Sequence, residues 1–168
     1  MRTAFYPCCG ADFLYPAKLL ADFVEKIIFC DVSSASSREF RTHKGRIGSV
    51  DVELIVGDVR DVVNQIGRID VFFYRGDSRG EGGSGVYVLA KKFFSGISAH
   101  FGDEALIITD GRNSGDELFK RMIRPSGYSW LGRHYHLKDG VHQPNTEGLY
   151  TIQVKPVTDF PHQKIYAG

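Results

Sequence analysis

The feature that most constrains this chain is a series of five short apolar runs, each followed by a helical or helix-like stretch. TAFY (3–6), KIIFCD (26–31), VDVELIVGD (50–58), IDVFFYRGD (69–77) and ALIITDG (105–111) are too short for core helices and rich in strand-favouring residues. The run 71–74 is apolar at every position, the pattern of a strand covered on both faces. Strands alternating with helices imply a parallel sheet joined by right-handed crossovers.

The intervening segments support that order. Residues 16–24 read as a helix with Pro16 in its first turn and Leu19, Leu20, Phe23 and Val24 at helical spacing. Ser33 or Ser34 would cap a helix in SSASSREF, and Asp58 one in VRDVVNQI. The strongest helical pattern covers about 85–100, with Val86, Leu89, Ala90, Phe93, Ile97 and Phe101 on one face. GDELFKRMI predicts a further helix. After Pro125, YSWLGRHYHL and GLYTIQVKPV read as two strands joined by the turn-rich KDGVHQPNTE. The expected fold class is α/β: a doubly wound, mainly parallel sheet flanked by helices, with a C-terminal antiparallel strand pair spanning 129–157.

Residues 1–168 are expected to form one domain, long enough to bury a core. A formal charge of +1 gives no long-range pull toward nucleic acid or anionic lipid, although it does not report how charge is distributed. No stretch approaches the ~20 apolar residues that cross a bilayer. Pro7 and Gly10 interrupt any signal-peptide core, so the expected location is cytoplasmic. Three cysteines, Cys8, Cys9 and Cys30, suggest neither a disulfide framework nor a Cys-x-x-Cys zinc pair.

In an open parallel sheet, ligands bind beyond the carboxyl ends of the strands, where strand order reverses. Four consecutive strands deliver acidic or glycine groups to that edge: Pro7-Cys8-Cys9-Gly10-Ala11-Asp12, Asp31, Gly57-Asp58, and Arg75-Gly76-Asp77. An aspartate after a second strand accepts from ribose hydroxyls, and one after a third accepts from an exocyclic adenine amine. Gly10 permits close approach of backbone to ligand because it lacks a Cβ. Taken singly, each aspartate reads sooner as a helix cap than as a ligand group; taken as an ordered set, they point to a nucleoside-bearing ligand.

This order resembles the class I S-adenosylmethionine-dependent methyltransferase fold, over residues 3–157 and including the final antiparallel strands. In that resemblance IIFCDVS puts Asp31 at the ribose, LIVGDVRD puts Asp58 at adenine, and IDVFFYRGD borders methyl donor and substrate with Arg75. The opening PCCGADF departs from the family's glycine-rich loop by carrying one glycine, with Pro7 and Gly10 shaping the bend. Asp12 stands in for the acidic residue that meets the cofactor's amino group. The implied cofactor is S-adenosylmethionine and the implied activity methyl transfer to an unidentified substrate. The alternative is a catalytically inactive methyltransferase-like module that binds a nucleotide or a protein partner, and self-association would suit either reading.

Methyl transfer to nitrogen or oxygen often needs a base, and Asp77, beside Tyr74 and Arg75, is the best-placed carboxylate, with Glu81 second. The Asn/Asp-Pro-Pro-Tyr pattern of amino-methyltransferases is absent, as is the Gly-x-Gly-x-x-Gly of dinucleotide binders. The glycine-rich RGDSRGEGGSGV reads as a lid, an anion-facing loop or a plain surface loop. His134, His136 and His142 lack the third spaced ligand of a metal site, so no metal is expected. KRMIRPSGYSW, with Lys120, Arg121, Arg124 and Trp130, reads either as a basic-aromatic surface for nucleic acid or, more economically, as a solvated helix end.

Overall fold

The computed structural model describes residues 1–76, 87–138 and 148–157. Nine strands form one sheet in the order β3-β4-β2-β1-β5-β6-β9-β8-β7. They are β1 (Thr3–Pro7), β2 (Lys26–Asp31), β3 (Arg46–Ile47), β4 (Val50–Val56), β5 (Ile69–Tyr74), β6 (Phe101–Thr109), β7 (Tyr128–Trp130), β8 (Arg133–Leu137) and β9 (Tyr150–Pro156). The helices are α1 (Leu14–Leu20), α2 (Ser34–Phe40), α3 (Val59–Val62), α4 (Lys91–Ser98) and α5 (Leu118–Met122). The five central strands β4-β2-β1-β5-β6 run parallel, and the outer ones are antiparallel. The predicted doubly wound class is therefore the observed one. No helix among the described residues is long and apolar enough to cross a membrane.

Apolar character on both faces places β5 at the centre, between β1 and β6. Val71, Phe72, Phe73 and Tyr74 are all buried. Phe72 meets Phe94 of α4 edge-on at 5.5 Å, and Phe94 meets Phe101 at 5.7 Å. On the other side Phe73 meets Tyr6 at 4.9 Å.

Several boundaries differ from the sequence expectation. The first helix begins at Leu14 and ends at Leu20, two residues ahead of the expected start and four short of the expected end. Its Pro16 still falls in the first turn, where an amide hydrogen has no intrahelical partner. Of the helix expected over about 85–100, Lys91–Ser98 is helical; Val88 and Leu89 precede it as turn, with extended Ala90 at its N-cap, and residues 85–86 lie outside the described residues. Val88, Leu89 and Phe101 are buried all the same, which is why periodicity ran past both ends. The hairpin strand β3 carried no pattern, since two residues show no period.

The segment YSWLGRHYHL is two strands, so the C-terminal addition has three strands where a pair was expected. Leu131 and Gly132 make the turn between them, both left-handed at φ 51° and 72°. A leucine there lacks the usual Asn-Gly signature of such a hairpin turn.

Phe72→Ala is expected to cost about 3–5 kcal/mol in urea-induced unfolding, because the deletion opens a cavity between sheet and α4. Leu131→Asn is expected to stabilise by about 1 kcal/mol, since asparagine tolerates the left-handed turn and an exposed leucine is removed.

Candidate functional site

From β1 the chain winds outward through β2 and β4, and from β5 outward through β6, so strand order reverses between β1 and β5. At the carboxyl ends around this point lies a cleft of about 1090 Å³. Its wall includes the 8–12 loop, Asp31–Ser33, Gly57–Arg60, Arg75, Gly76, Asp110, Arg112 and Gly148.

The opening loop solves the single-glycine problem with a cysteine. Cys8 (φ 53°) and Gly10 (φ 56°) both adopt the left-handed conformation that a second glycine would ordinarily share. Between them the Cys9 amide donates to the Cys30 carbonyl at 3.2 Å, prolonging the β1–β2 ladder. The Gly10 amide donates to Asp31 Oδ2 at 2.8 Å. A Cβ on Gly10 would meet nothing within 4 Å, so a side chain there would project into open space.

Asp31 ends β2 and is half-buried. Besides Gly10 it accepts from the Ser33 amide (2.7 Å) and the Ser36 hydroxyl (3.3 Å), which fastens the α2 N-terminus to the loop. A carboxylate offers about four acceptor positions. Three are used within the chain.

Asp58 is both cap and ion-pair partner. It accepts from the Arg60 amide at 2.9 Å and from Arg60 Nε at 2.8 Å, with Arg60 Nη2 on its second oxygen. Hydrogen bonding to Arg60 holds its carboxyl down at about 2. Asp12 accepts from Tyr6 Oη (3.1 Å) and from Arg75 Nη2 (2.8 Å), tying the β1 loop to the end of β5. The Arg75 guanidinium lies 4.2 Å from the Tyr15 ring centroid. Burial, and next the Asp12 charge, push the Tyr6 phenol well up, so Tyr6 stays a donor. Burial likewise pushes the Cys30 thiol up to about 12 and the Cys9 thiol above its ordinary value.

Gly10, Asp12, Asp31, Asp58 and Arg75 thus share one cleft, as the strand-end reading expected. Pro7 is buried at the end of β1 and is not part of the cleft wall. Tyr74 is fully buried and its hydroxyl accepts from Asn113 Nδ2 at 3.2 Å; it buttresses the next loop rather than facing the cleft. Asp77, Glu81 and His142 lie outside the described residues. His134 and His136 stack at 5.4 Å on β8, away from the cleft wall.

Sequence reasoning missed Asp110, although its Asp-Gly follows a strand as Gly57-Asp58 does. Asp110 Oδ1 accepts from the amides of Gly76 (3.2 Å) and Arg112 (3.0 Å), locking the ends of β5 and β6 together. A Cβ on Gly76 would lie 2.8 Å from Arg112 Cβ, so this crossing requires glycine. Arg60 and Arg112 also went unnoticed as cleft residues, although each stands two residues after the aspartate it pairs with, a spacing the sequence displays.

A lowered carboxyl pKa stabilises the fold above the unfolded value and loses that contribution as pH falls through the folded one. The Asp58 contribution should therefore fade between about pH 4 and 2. In a carboxyl NMR titration Asp58 is expected to titrate near 2, and Arg60→Gln to return it toward the ordinary range.

No family model matches the chain, and no curated protein matches it in sequence. Solved structures do match in fold. A Streptococcus mutans protein in complex with S-adenosylhomocysteine is 11% identical with a TM-score of 0.58, over 94% of this chain and 89% of its own. An rRNA methylase from Streptococcus thermophilus is 12% identical, TM-score 0.54, over 93% and 87%. TrmN from Thermus thermophilus is 14% identical, TM-score 0.54, over 93% of this chain but 44% of its own, so the chain spans less than half the length of TrmN. The sheet order, the reversal beside β1 and these likenesses together give the chain a class I S-adenosylmethionine-dependent methyltransferase-like fold.

Proposed function

We propose that this domain binds S-adenosylmethionine in the cleft and transfers its methyl group to a nitrogen or oxygen acceptor. The observation that carries the reading is the convergence of the Gly10 bend, Asp31 and Gly57-Asp58 on one cleft at the strand-order reversal. When bound, S-adenosylmethionine supplies an electrophilic methyl group on a sulfonium centre. Asp31, with one acceptor position left, takes a ribose hydroxyl. Gly10 leaves clearance for the ligand's amino-acid end, where Asp12 and Arg75 present opposite charges. Asp58 borders the adenine while its carboxylate holds Arg60. Asp77, or Glu81 in its place, receives the acceptor's proton.

A second reading is a nucleoside-binding module without catalysis. It is favoured by the arginine partners that Asp12 and Asp58 already have and by the single glycine of the opening loop.

Calorimetric titration with S-adenosylmethionine and S-adenosylhomocysteine tests the reading. Both should bind saturably, and absence of binding removes the cofactor assignment. Asp31→Ala is expected to weaken S-adenosylhomocysteine by about 1.5–3 kcal/mol, the worth of hydrogen bonds to a charged group. Because Asp31 also fastens the loop, its melting temperature is measured alongside. Gly10→Val should reduce affinity at least tenfold, about 1.4 kcal/mol, through the open space it fills and the left-handed backbone it strains. Unchanged affinity in both variants would take this loop out of the site.

A further inference from the structure

Charge is unevenly divided along this nearly neutral chain. Residues 111–138 hold six Lys and Arg against two Asp and Glu, and the rest of the chain holds fifteen against eighteen. Register places part of this stretch, from Arg112 to the helix α5, beside the cleft, while Arg133 lies toward the opposite edge and donates to the Phe101 and Gly102 carbonyls. Thr109, the end of β6, pairs with Tyr150, the start of β9, so both lie at the carboxyl edge where the cleft opens. Arg112 and Gly148 belong to the cleft wall itself. Phe119 of α5 meets the Tyr150 ring edge-on at 5.3 Å, which seats α5 on that same edge.

Lys120 and Arg124 are exposed there. Arg121 lies 5.7 Å from the ring centroid of part-exposed Tyr128, which is in register with Tyr135 and Val154 and so lies four residues in from the edge marked by Tyr150. Among the described residues Lys120 is held by an exposed pair with Glu117, of the kind worth little in water. From Arg112 through Lys120 and Arg124 the surface is thus a cationic ledge that starts at the cleft edge and leads, by way of Arg121, to an aromatic ring set back from it.

We infer that this ledge binds single-stranded nucleic acid and leads it to the cleft as methyl acceptor. Repeated cations at an edge suit a chain of phosphodiesters, and a guanidinium-covered tyrosine offers a stacking plane for an unpaired base. Duplex fits less well, since no described helix beside the ledge is long enough to fill a major groove. The binding surface stands on this charge and geometry; the acceptor role rests on the methyl-transfer reading above.

The test is fluorescence anisotropy of a labelled mixed-sequence 20-nucleotide RNA with the whole protein, at 50 and 200 mM salt. With three to four phosphate contacts, log affinity should fall with log salt at a slope of about −2 to −3. Arg121→Glu/Arg124→Glu should weaken binding at least tenfold, and the milder Lys120→Gln/Arg124→Gln should weaken it several-fold. The charge-matched Arg38→Glu/Arg41→Glu pair, at exposed positions of and just after α2, should change it less than twofold. S-adenosylhomocysteine affinity and melting temperature should stay unchanged in the ledge variants. No binding at 50 mM salt, equal loss in the α2 pair, tighter binding of the matching duplex, or the same ledge-dependent binding to phosphatidylserine vesicles would each overturn the proposal. If RNA binds through the ledge but S-adenosylhomocysteine does not bind, the surface stands and the methyl-transfer reading falls.

Discussion

The Asp31 carboxylate holds the cleft in shape. Its three hydrogen bonds join the β1 loop, the end of β2 and the first turn of α2. Two of the donors are backbone amides, which cannot move without moving the chain. Without the Asp31 carboxylate, the Gly10 and Ser33 amides would lose these partners, and the loop its tie to β2 and α2. The left-handed bend at Cys8 and Gly10 is therefore held from outside the loop.

Around that tie the cleft is nearly balanced in charge. Asp12, Asp58 and Asp110 face Arg75, Arg60 and Arg112, while Asp31 faces amides and a hydroxyl. An ion pair at a partly exposed edge contributes little to stability, so these pairs are better understood as positioning devices. Asp12–Arg75 spans the strand-order reversal, and Asp110 clamps the last described residue of the β5 loop, Gly76, against the β6 loop. Both act on the segment that enters residues 77–86.

The platform beneath is aromatic. Phe29 and Phe40 pack around Phe13, while Tyr6 and Phe73 pack across β1 and β5. Edge-on aromatic pairs add about 0.5–1.5 kcal/mol each beyond their burial, so strand ends that carry the cleft residues are held by their own neighbours. The cationic ledge, by contrast, lies on the antiparallel side, where β9 and α5 extend the same edge.

Local physics fixed much of this in the sequence alone. The all-apolar 71–74 run could only be a central strand, and Ser33 and Asp58 had the side chains to cap α2 and α3. Aspartates at strand ends marked the cleft edge because a parallel sheet sends all its carboxyl ends one way. Tertiary structure decided the partner of Arg75: it and Asp12 are sixty-three residues apart, and no local pattern links them, whereas Asp58–Arg60 and Asp110–Arg112 pair across two residues. It also decided that the Tyr74 hydroxyl meets Asn113, that the helix begins only at Lys91, and that a leucine would turn between β7 and β8. The reason is common to all three. Periodicity reports which side chains avoid water, whereas backbone direction and ion pairing depend on neighbours that only the folded chain supplies.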